Sequence, residues 1–70
     1  MTRNEALALR GKLIGLKREA TQLTGQLVQF SRQYAKSDSE ILSTLSDAAG
    51  DAADLSNKLD LAIEQVQGII

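Results

Sequence analysis

The chain has no cysteine, histidine, proline or tryptophan, and a single tyrosine and a single phenylalanine among its 70 residues. Without cysteine no disulfide can staple it, and without cysteine or histidine it has no zinc site of the usual kind. No serine sits in a strand-turn-helix elbow and no glycine-rich loop precedes a helix, so no catalytic apparatus is expected. No apolar stretch approaches the roughly 18 residues that span a bilayer. The N-terminus, with Glu5 among scattered basic residues, is unlike a signal peptide with its continuous apolar segment. A cytoplasmic protein without membrane contact is the expectation, and cysteine usage is compatible with it. A chain this short buries only about 60% of its unfolded surface. With disulfide and zinc removed, oligomerisation is the remaining way to complete a core.

What the chain does have is apolar periodicity. Ala6, Leu9, Leu13, Leu16, Ala20, Leu23, Leu27, Phe30 and Tyr34 follow one another at alternating spacings of three and four. Ile41, Leu45, Ala48, Ala52, Leu55, Leu59, Ala62, Val66 and Ile69 repeat the pattern. That spacing winds an apolar stripe along one side of an α-helix. The only polar break runs from Lys36 to Glu40. Thr2-Arg3-Asn4-Glu5 and Ser37-Asp38-Ser39-Glu40 each fit the capping-box pattern. The fold class is therefore all-α, with a single domain over residues 1–70: one helix over about 3–36, a turn near 37 and a second helix over about 38–68.

The alternative is one continuous helix with a stutter near Asp38. Size matching favours folding back. An antiparallel hairpin pairs Tyr34 with Ile41, Phe30 with Leu45, Leu27 with Ala48, Leu23 with Ala52 and Ala20 with Leu55. The series continues as Leu16 with Leu59, Leu13 with Ala62, Leu9 with Val66 and Ala6 with Ile69. Alanine repeatedly faces a large residue and never another alanine, which is how helical cores interdigitate. The same register sets Glu19 beside Lys58 as a flanking ion pair.

Charge divides between the halves. Residues 1–36 carry seven Lys/Arg and two acids (+5), whereas residues 37–70 carry one Lys and seven acids (−6). This makes the two helices electrostatically complementary neighbours, or else offers a basic face to an acidic partner. Asp47, Asp51 and Asp54 share one side of the second helix. They read as a solvated acidic face, not a metal site, and no metal or cofactor is expected.

A hairpin alone would leave much of the stripe wet. Leu42, Ala49, Ile63 and Ile70 widen the apolar face of the second helix and are the candidate oligomer interface, completing a four-helix bundle as a homodimer or higher assembly. On the first helix Leu7, Ile14 and Val28 form a sparse apolar row, with Arg3, Arg10 and Lys17 running between it and the stripe. Their stems can simply lie over apolar surface. Ala8, Gly11 and Gly15 make a smooth outer patch, with Gly25 further along. Glycine inside a helix costs about 1 kcal/mol relative to alanine, so two within one turn of each other invite a functional explanation. Small residues let another backbone come close. The candidate partner-binding residues are Arg3, Leu7, Arg10, Gly11, Ile14, Gly15, Lys17 and Arg18.

The opening Met1-Thr2-Arg3-Asn4-Glu5 followed by Ala8-Leu9, on a short antiparallel hairpin with alternating large and small layers, resembles the Rop family of plasmid-encoded RNA-binding proteins. The likeness covers about nine residues, part of which the capping box explains. It implies a dimeric four-helix bundle whose two first helices grip paired RNA loops, with Arg3, Arg10, Ile14 and Arg18 as the counterparts. The glycines of the first helix have no place in that pattern. Architecture alone does not license a function.

The expected function is a non-enzymatic oligomeric interaction module that binds a partner macromolecule. An adaptor, chaperone or inhibitor of the kind phages and mobile elements carry would fit its size. The partners expected are a second copy of the chain and a protein, ahead of RNA, with no small-molecule substrate. Two alternatives stand: a Rop-like RNA-binding regulator, and a small-ligand-binding helical bundle.

Overall fold

The computed structural model describes residues 1–34, 36 and 39–70. Two helices account for almost all of them: α1 (Arg3–Gln33) and α2 (Ser39–Gln67). They pack side by side as an antiparallel hairpin, and no strand occurs among the described residues. The molecule measures 52 × 14 × 11 Å. A single continuous helix would be about 100 Å long at 1.5 Å per residue, so the fold-back is the architecture.

The start of α1 is built as its sequence requires. Glu5 N–H donates to Thr2 Oγ1 at 3.2 Å, and Thr2 N–H donates to Glu5 Oε1 at 3.1 Å, closing the capping box. The two bonds satisfy donors that a helix start otherwise leaves open. α1 ends at Gln33, short of the expected residue 36, because Tyr34 leaves helical geometry (φ −109°, ψ 27°). Its N–H still reaches Phe30 O at 3.0 Å. The second expected capping box rests on Ser37 and Asp38, which lie outside the described residues. Ser39 and Glu40 open α2.

Two polar contacts between the helices fix their register. Lys17 pairs with Asp60, and Thr21 and Ser56 share a hydrogen bond at 3.3 Å. A slip of one heptad would separate both pairs. The same register sets Ala20 near Leu55 and Leu16 near Leu59, as size matching requires. The expected Glu19–Lys58 pair does not form. The ion pair at this level is Lys17–Asp60, on the opposite flank of the groove.

The apolar stripe is divided between inside and outside. In heptad letters, position a is held by Ala6, Leu13, Ala20 and Leu27 in α1 and by Leu45, Ala52, Leu59 and Val66 in α2. Every one of these is buried or half-buried, whereas Tyr34, the next a position just past α1, is about half exposed. Position d is held by Leu9, Leu16, Leu23 and Phe30 in α1, and by Ile41, Ala48, Leu55 and Ala62 in α2, with Ile69 just beyond its end. Of these, Leu16, Leu23, Phe30, Ile41, Leu55 and Ile69 stand about half exposed. The covering on the other side of a comes from position e: Arg10, Lys17, Thr24 and Ser31 in α1, and Leu42, Ala49, Ser56 and Ile63 in α2, all at least half-buried. The line of closest contact thus runs between a and e. Alanine at a, with serine, threonine and alanine at e, lets the backbones approach there, since interaxial distance follows the side chains at the contact.

The core that results is thin. Among the described residues its buried apolar members are Ala6, Ala20, Ala52, Ile63 and Val66, and no large side chain is fully enclosed. Burying a Leu or Ile completely is worth about 1.5–3 kcal/mol, and the hairpin collects only part of that from its d row.

Candidate interaction faces

The structure offers three surfaces: the two sides of the groove between the helices and the outer half of α1. The e side of the groove is closed by Leu42, Ala49 and Ile63 of α2 together with polar contacts along α1. Beyond the Lys17–Asp60 and Thr21–Ser56 contacts, Thr24 Oγ1 donates to Ala20 O at 2.9 Å and Ser31 Oγ to Leu27 O at 3.0 Å. These half-buried hydroxyls find partners on their own helix, so they can face α2 without an unsatisfied group. A shallow recess of about 170 Å³ lies here, lined by Thr21, Thr24, Ala53, Ser56 and Asn57.

The d side is apolar and open. A trough of about 260 Å³ runs over Ala20, walled by Leu16, Leu23, Leu55 and Leu59 with Glu19 at its edge. Helical geometry places Lys58 on the same rim, since it precedes Leu59 as Glu19 precedes Ala20. Among the described residues neither charge has an ion-pair partner.

Three of the four residues expected at an oligomer interface fall on the closed side. Ile63 is buried, Leu42 and Ala49 are half-buried, and Ile70 is exposed at the C-terminus. Ile63, Leu42 and Ala49 therefore already serve the contact with α1. The residues standing open instead are Leu16, Leu23, Phe30, Ile41, Leu55 and Ile69. Two helices meeting along one line cover one flank of a two-row stripe and leave the other wet. The sequence signal was the presence of both rows, but it did not say which would face out.

The candidate partner-binding residues of α1 spread over roughly half its circumference, at about 100° per residue. Arg3, Arg10 and Lys17 lie nearest α2. Arg10 and Lys17 are half-buried, and Lys17 is held by Asp60. Leu7 and Ile14 come next, both partly exposed. Gly11, Gly15 and Arg18 are furthest out and exposed. A Cβ added at Gly11, Gly15 or Gly25 would meet nothing within 4 Å. Nothing inside the hairpin therefore requires glycine at these places.

No family model, characterised protein or solved structure matches the chain. The likeness to the Rop family accordingly rests on the opening residues and the hairpin architecture. Among the described residues no helix is long and apolar enough to cross a membrane. The acidic side of α2 formed by Asp47, Asp51 and Asp54 is exposed throughout.

Among the described residues Glu5 is the one group whose acidity is clearly displaced. The Thr2 backbone N–H, and then its hydroxyl, stabilise the Glu5 carboxylate and hold its pKa below the usual value. The cause is the capping box, so this shift belongs to the helix start and marks no reactive site.

Proposed function

We propose that the protein is a non-enzymatic helical interaction module that works as an oligomer and presents the outer face of α1 to a macromolecular partner. The observation that carries this reading is the half-exposed d row. A chain that keeps six large apolar side chains partly wet, and encloses none fully, is built to be completed by another surface. The open glycine patch supports a second contact. Gly11 and Gly15 give up helix stability with no packing reason inside the hairpin, and close approach of a partner backbone supplies one. Leu7 and Ile14 beside them offer apolar area, and Arg18 a charge, which together suit an amphipathic helix with acidic flanks.

The RNA-binding alternative draws on the exposed cations of the first half, Arg3, Lys12, Arg18 and Arg32. Arg3 and Arg18 lie on the same half of α1 as Leu7 and Ile14 and can neutralise phosphates there, whereas Lys12, nine residues and so about 180° from Arg3, lies on the opposite flank. Salt separates the readings. Binding to RNA should weaken steeply with rising salt, because each phosphate contact releases counterions. Docking through Leu7, Ile14 and the glycine patch should persist. Light scattering coupled to size exclusion, with absorbance at 260 nm on protein purified without nuclease, tests both parts. A monomer at every concentration would remove the oligomer, and bound nucleic acid would favour the second reading.

A further inference from the structure

We infer that the surface joining one chain to the next is the d side of the groove, and that its occupant is a second copy of the same hairpin. The inference rests on the oligomeric reading above and specifies its interface. Three observations converge on it.

The first is area. The hairpin exposes 5226 Å² for 7.5 kDa, whereas a folded monomer of that mass typically exposes about 4,200 Å². The excess, about 1,000 Å², is close to the roughly 800 Å² that each partner contributes to a standard stable interface. A two-helix rod of 52 × 14 × 11 Å has this excess because it is thin. A second rod laid along its length removes it, whereas a compact partner touching one point would not.

The second is shape. The trough over Ala20 holds about 260 Å³, and a cavity of roughly 150 Å³ already admits a benzene ring. Its walls, Leu16, Leu23 and Leu55, project as knobs beside the hole they enclose. A surface carrying both knobs and holes in one repeat can dock with itself, and a two-fold axis requires that self-complementarity. The heptad supplies it along the whole row, from Ile69 near the termini to Ile41 near the turn.

The third is charge. Glu19 lines the trough and helical geometry puts Lys58 on the same rim with the opposite sign, and among the described residues neither is paired. A rim of mixed sign suits a second copy, which brings both signs with it. A basic or an acidic foreign partner would meet repulsion at one of the two. On the closed side the corresponding charges, Lys17 and Asp60, are already spent on each other.

The test is the solution mass of the full chain and of single variants, measured over a wide range of concentration. The wild type should run as a dimer or larger. Leu23→Glu and Leu55→Glu place a charge where the lone hairpin is half exposed. They should weaken association roughly 100-fold or more, because the carboxylate would be buried without a partner in the assembly. Leu42→Gln, on the closed side, and Arg18→Gln, on the outer face, should leave the mass unchanged. Hydroxyl-radical footprinting of the unmodified protein gives the same answer without relying on any variant's folding. Leu16, Leu23, Phe30 and Leu55 should become protected as the protein associates, while Leu7 and Ile14 do not. Association that survives Leu23→Glu but fails with Leu42→Gln would overturn the inference and leave the oligomeric reading standing. A wild-type monomer at all concentrations would overturn both.

Discussion

On one side of the groove between α1 and α2, Lys17 meets Asp60, Thr21 meets Ser56, and Thr24 and Ser31 bond back to their own helix. On the other side Leu16, Leu23 and Leu55 stand over an empty trough. Both sides belong to the same pair of helices and the same heptads, yet one is finished and the other is not. Polar groups can be satisfied locally, by a neighbour or by the backbone four residues away. Apolar groups can be satisfied only by area, and two thin helices do not have enough of it. The e side, where polar pairs sit beside Leu42, Ala49 and Ile63, therefore closes within one chain, and the d side stays open.

Truncation should separate the two sides most strongly. Ile63→Ala empties a buried position on the closed side and should cost about 2–4 kcal/mol, read as the denaturation midpoint at low concentration. Leu55→Ala, removing a half-exposed side chain, should cost clearly less under the same dilute conditions. Its penalty should grow with concentration as the assembly forms. Equal, concentration-independent losses would break the comparison.

The helix start comes next in size. Thr2→Ala should cost about 1 kcal/mol through the lost N-cap. It should also change the response to acid. Glu5 has a lowered pKa when folded, so its contribution is present above its unfolded pKa, about 4.3, and is lost as pH falls through the lower folded value. Helicity near residue 5 should fall at acid pH in the wild type, and the part due to the capping box should be absent in Thr2→Ala. Amide chemical shifts on titration would show this.

Gly11→Ala and Gly15→Ala should each raise stability by roughly 0.5–1 kcal/mol, which at this size is a few degrees in Tm. Nothing lies within 4 Å of either added Cβ. Loss of partner binding alongside that gain would mark the patch as functional, whereas unchanged binding would remove it from the interface. The smallest effect should come from Lys17→Met, at most about 1 kcal/mol, because both members of its pair with Asp60 keep contact with water. A larger loss would mean that the polar side holds more of the hairpin together than its geometry indicates.

Much of this fold could be read before any coordinates. The capping box at Thr2 and Glu5 formed as written, because it needs only residues three apart. The hairpin followed from alanines facing large residues, whereas the contact line moved off the expected seam, toward e. Three things were not legible for physical reasons. The end of α1 at Gln33 depends on one residue's dihedrals at Tyr34. The flank that carries the ion pair depends on which way both helices rotate about their axes. The position of Ile63, inside the hairpin and not outside it, depends on the same rotation.

The sequence by itself determined that the chain is helical, where it folds back and which residues share a stripe. Those are consequences of periodicity and local hydrogen bonding, which act over a few residues. Only the tertiary structure decided which half of the stripe is used and which is left open. That choice follows from how closely two backbones can approach, and here the alanines at a and the small residues at e drew the contact to one flank.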